Sequence, residues 1–104
     1  MFGGSTLRLS SNRRSIWTTF RQQAFSLYSQ GKLDDAITMT LKMVEIYRKI
    51  DYKGGLVPGL FALGLLYEEK NNLEIALKYY REALNINPEH IQSREKIESL
   101  TKKN

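Results

Sequence analysis

Few residues in this 104-residue chain have the types and spacing that chemistry needs. His90 is the single histidine, and it follows Pro88 and Glu89 where the pattern predicts a helix to begin. A solvent-exposed surface histidine is expected there, neither a ligand nor a base. Glu68 and Glu69 are neighbours in sequence. On a helix they point about 100° apart and cannot share a proton. Ser10, Ser11 and Ser26 have no histidine or lysine at a telling spacing. Gly3-Gly4 and Gly54-Gly55 lack the lysine and threonine of a phosphate loop. Cysteine is absent, which excludes disulfides and thiolate metal sites and favours an intracellular setting. The expectation is therefore no enzyme, no metal, no cofactor and no small-molecule substrate.

What remains is a chemistry of surfaces, and charge is its first sign. Residues 1–33 hold Arg8, Arg13, Arg14, Arg21 and Lys32 and no acid. The first acid is Asp34, and from there 11 basic residues balance 11 acidic ones. The whole net charge of +5 thus sits in the first third. The stretch LRLSSNRRS is rich in Arg and Ser. It fits three readings: a mitochondrial or plastid transit segment, a solvated terminus, or a basic arm for RNA or an acidic protein surface. MFGGS at the start also fits a leader left by cloning. The longest apolar run goes from Leu56 to Tyr67 and contains Pro58. It is too short to span a bilayer.

The elements that must position any surface are helices. Leu60, Leu63, Gly64 and Tyr67 fall at i, i+3, i+4 and i+7, one helical face. Leu73, Ala76, Leu77, Tyr80, Ala83 and Leu84 make a second. Asn71-Asn72 breaks the pattern between them and reads as the turn. Gly64 and Ala76 are small enough for a close helix crossing, with Tyr67 and Tyr80 filling the flanks. Asn87 reads as the N-cap and Pro88 as the first position of a following helix. A weaker copy precedes this unit at an offset of 40: Ala24 matches Gly64, and Ala36 matches Ala76. Trp17, Phe20, Leu27 and Leu33 then match Val57, Leu60, Tyr67 and Leu73. The copy departs where Thr40 replaces an aromatic and Met43 replaces alanine. Its second helix is expected to run through Tyr47 and Ile50 and to stop at Gly54-Gly55.

The order Gly64, Tyr67, Ala76, Tyr80, Ala83, Pro88 resembles the tetratricopeptide repeat, a helix–turn–helix unit of about 34 residues. The likeness covers roughly residues 17 to 90, with a first repeat longer than usual. It implies an all-α tandem array in a right-handed superhelix, closed by a C-terminal capping helix. The expected divisions are a basic or transit-like arm over 1–16 and a repeat domain over 17–104. Within that domain, repeat one spans 17–55, repeat two 56–88 and the capping helix 89–102. Ile91, Ile97 and Leu100 of the capping helix should face inward. Two repeats are fewer than the usual minimum of about three, so both ends of the stack need cover.

The resemblance implies a protein-binding scaffold or assembly subunit, with the first helix of each repeat lining a concave groove. Here those helices supply Arg21, Phe25 and Tyr28, then Phe61, Leu65 and Glu68. Phe61 and Leu65 lie off the core stripe. Two readings stand open: they pack within the domain, or they meet a partner segment. The clamp by which chaperone-binding members grip a carboxylate is incomplete, because Phe25 and Ala62 stand at its positions. The alternative function is an accessory protein that contacts RNA through its basic arm, as in a ribosome. Arg8, Arg13 and Arg14 would carry that contact. An organelle is the expected location, with the cytoplasm as the alternative.

Overall fold

The computed structural model describes residues 21–102. Arg8, Arg13 and Arg14, with the rest of the predicted arm, lie outside them. Among the described residues five helices follow one another: α1 over 21–29, α2 Leu33–Lys49, α3 Lys53–Glu69, α4 Leu73–Ile86 and α5 Ile91–Thr101. Each of the helices from α2 on packs chiefly against the next in the chain. This is the tandem helical array expected from the pattern.

Three of the four connections are one motif, evenly spaced at positions 31, 51 and 71. Gly31, Asp51 and Asn71 take positive φ of 80°, 55° and 64°. The next amide donates back across the turn: Lys32 to the Leu27 carbonyl at 2.8 Å, Tyr52 to Tyr47 and Asn72 to Tyr67 at 2.9 Å. The left-handed residue itself donates to the carbonyl three before it. This closes the last turn of each helix by satisfying carbonyls that would otherwise have no partner.

The second of these turns corrects the sequence reading. Helix α2 stops at Lys49, before Gly54-Gly55, because Asp51 supplies the left-handed residue. The glycine pair opens α3 instead. Gly55 is there for space: a Cβ on it would come within 2.7 Å of the Tyr47 ring. Further along α3, a Cβ on Gly59 would meet Val44 at 2.9 Å. One on Gly64 would overlap the ring of Tyr80. Helix α3 thus lies against α2 through two glycines and against α4 through a third. Leu60, Leu63, Ala76, Tyr80 and Ala83 are fully buried around these crossings.

The last connection differs from the other three, and from the expectation. Asn87 is extended and does not cap α5; its Oδ1 accepts from the Glu89 amide at 3.1 Å. His90 is the cap, and its side chain accepts from the Ser93 amide at 3.3 Å. That start rotates α5. Ser93 is its buried residue, Ile97 and Leu100 are half-buried, and Ile91 points out at 64% exposure. The expected inward Ile91 is therefore wrong, because the helix begins at that residue.

The crossing and the turn can each be tested by one substitution. Gly64→Ala should gain helix propensity yet lower stability, by about 1–3 kcal/mol through overpacking on Tyr80. In a Tyr80→Ala background the same change should become neutral or stabilising, as read by denaturant unfolding of the four proteins. Gly31→Ala should lower stability by about 1 kcal/mol from the left-handed backbone alone. A Cβ on Gly31 meets nothing within 4 Å. Gly31→Asn should recover most of that loss in the same unfolding experiment.

Candidate groove on the concave face

Helices α1, α3 and α5, with Thr40 and Met43 of α2, line an open groove of about 1230 Å³. The six residues predicted to line it all do so. Their spacing explains why. Arg21, Phe25 and Tyr28 run i, i+4, i+7 along α1, and Phe61, Leu65 and Glu68 repeat that spacing on α3. Equivalent faces of equivalent helices look into one space.

The six do not share one role. Phe25 is 67% exposed, and its ring centroid lies 6.4 Å from that of the exposed Tyr28. Leu65 is 37% exposed. Phe61 is half-buried, with its ring 5.5 Å from Tyr80 and 5.4 Å edge-on from His90. The two residues differ: Phe61 belongs to the domain's own packing, whereas Leu65 is exposed to the groove.

His90 is a correction. It is half-buried, lines the groove and holds Ser93 Oγ at 2.7 Å as well as the Ser93 amide. Nothing around it marks it as a base or ligand. Its acceptor nitrogen is used to start α5.

Glu68 joins three helices. The Tyr80 hydroxyl of α4 donates to Glu68 Oε1 at 2.7 Å. Lys96 of α5 reaches the same oxygen at 3.1 Å. Burial pushes the Tyr80 hydroxyl far above its ordinary value of 10.0, and the hydrogen bond to Glu68 adds to the rise. Nothing in the sequence singles out Lys96, because no spacing rule links it to a residue 28 positions earlier.

A tetratricopeptide repeat model matches residues 15–89, nearly three quarters of the chain. The chain belongs to the tetratricopeptide repeat family. No curated protein matches it. Tetratricopeptide repeats mediate protein–protein interaction and are typically non-catalytic. The groove between α1 and α3 lies where such repeats line their concave face. No helix among the described residues is long and apolar enough to cross a membrane.

The Tyr80–Glu68 pair gives a signed pH effect. Tyr80 ionises less readily in the folded chain, so its share of stability is complete below pH 10 and is lost as pH rises beyond it. Tyr80→Phe should cost about 1–2 kcal/mol at neutral pH through the lost bond to a carboxylate. It should also flatten the fall in melting temperature above about pH 10. Burial raises Tyr47 and Tyr79 too, so some alkaline loss should remain. Melting curves from neutral to alkaline pH on both proteins check the sign.

Proposed function

We propose that this protein is a scaffold or assembly subunit of a larger complex, and that it holds a partner's segment in the groove between α1, α3 and α5. One observation carries the reading: Phe25, Tyr28 and Leu65 lie exposed along one groove, where the packing of the described residues leaves them open. Apolar side chains gathered on a concave surface favour a bound segment over water. Burying a Phe or Leu side chain contributes about 1.5–3 kcal/mol, so two such anchors supply the core of a specific site. Polar groups stand at the rim, with Gln22 and Arg21 on α1, Glu69 on α3 and Gln92 on α5. They can set the direction of an extended or helical segment. The acid-free leading segment supports a place inside an organelle.

The test separates binding from folding. Phe25→Ser with Leu65→Ser should leave the unfolding free energy within about 0.5 kcal/mol of the parent, as for exposed positions. Phe61→Ala should lower it by more, since that ring packs on Tyr80. Quantitative affinity capture should then yield partners that the parent retains and the double variant loses at least about tenfold, a loss of about 1.4 kcal/mol. A partner held equally by both would dock elsewhere, and the groove reading would fail.

A further inference from the structure

The groove holds one unanswered charge beside its apolar strip, and the chain itself carries a segment of matching character. Phe25, Tyr28 and Leu65 are the exposed apolar side chains. Glu69 stands at the rim beside Glu68 and is half-buried. The cations near it are engaged elsewhere: Lys70 holds Asp34, and Lys96 holds Glu68. Glu69 has no ion pair among the described residues. Arg21 belongs to the other half of the groove. It matches Phe61, which precedes Glu69 by about two turns of α3. A partly buried carboxylate beside apolar side chains favours a nearby cation over the water it has partly lost.

The family match begins at residue 15, and residues 1–14 precede the repeat. They contain Arg8, Arg13 and Arg14, no acid and no proline, with Leu7 and Leu9 on either side of Arg8. All three residues from Leu7 to Leu9 lie past the leading MFGGS. In an extended segment Leu7 and Leu9 share one side, and Arg8 takes the other. Two leucines then suit an apolar floor, and the arginine suits an acid at the rim. The segment is also tethered to the groove, because Arg21 lines it. The chain from Arg8 to Arg21 reaches up to about 43 Å at about 3.3 Å per residue. Along α3, Phe61 and Glu69 are only about 12 Å apart. Such a tether gives the segment a local concentration of about millimolar, which a second copy in dilute solution lacks. We propose that Leu7, Arg8 and Leu9 bind in the groove of their own chain, the leucines against Phe25 and Leu65 and the guanidinium on Glu69. In this role, which rests on the groove being a binding surface, the arm competes with a partner's segment and must leave before one enters.

Cysteine is absent, so Ser5→Cys gives the full chain a single site for a nitroxide label. In the isotope-labelled protein the label should broaden the amide signals of Phe25, Leu65 and Glu69. It should leave sharp those of Leu41 and Tyr79, which line a separate cleft. Leu7→Ser with Leu9→Ser should restore the groove signals. Arg8→Glu should restore them in part, and Glu69→Arg added to that chain should bring the broadening back. A nitroxide-bearing chain without isotope, mixed with isotope-labelled chain without nitroxide, should broaden nothing. Groove signals that stay sharp, or broadening that survives the arm variants, would overturn the proposal. So would broadening in the mixed sample, because the occupant would then be the arm of a second copy. The groove's part in partner binding fails by a different result. Phe25→Ser with Leu65→Ser would then release the arm and yet lose no captured partner. Partners lost from that variant, with the groove signals sharp in the nitroxide-labelled chain, would sink the arm's role alone.

Discussion

The close approach of α3 to both of its neighbours is the constraint on which the rest depends. Gly55 and Gly59 admit Tyr47 and Val44 of α2, and Gly64 admits the ring of Tyr80 from α4. A helix so rich in glycine, with an inner proline, has poor intrinsic propensity. It forms because packing offsets that deficit: Leu56, Val57, Leu60, Leu63 and Leu66 are all buried. Apolar residues on nearly every side then have somewhere to go. Toward α2 and α4 they make the core, and toward α1 and α5 they make the groove wall. The groove is what is left over once α3 has been gripped from behind.

The turns set the period of the array. Gly31, Asp51 and Asn71 end their helices with the same pair of backbone bonds, so the chain reverses at even intervals. The first repeat exceeds the family's usual length of about 34 residues. The cause lies in its second helix, since α2 runs to 17 residues where the equivalent α4 has 14. The connection into α5 breaks the period, because Pro88 has no amide to donate and Asn87 stays extended. A histidine cap replaces the backbone motif there. Two ion pairs, Arg48–Glu82 and Lys70–Asp34, span from α2 to the second repeat. Both are largely exposed and add little to stability on their own.

Much of this was legible in the residues. The stripes from Leu60 to Tyr67 and from Leu73 to Leu84 carry the helical period, and Asn71-Asn72 carries the turn. The offset of 40 placed Arg21, Phe25 and Tyr28 beside Phe61, Leu65 and Glu68, because equal spacing on equivalent helices is a geometric fact. Gly54-Gly55 misled, since a glycine pair signals a helix end equally well when it serves as room for a neighbouring ring. Asp51, the true left-handed residue, carries no such flag in the sequence. Ile91 misled because α5 begins three residues after Pro88, which turns every later side chain. The link from Glu68 to Lys96 depends on how α5 docks, and no local pattern encodes that.

Tyr80 places its ring against Gly64 and its hydroxyl on Glu68. One residue is thus shared by the core and the groove. Any change at Glu68 made to suit a different partner disturbs a buried tyrosine as well. Phe25 and Tyr28 have no such second duty among the described residues. New binding preferences can therefore arise at α1 with little penalty, whereas α3 resists them. The two walls of one groove thus differ in kind: Phe25 and Tyr28 stand exposed on one, and Glu68 ties the other to the buried core.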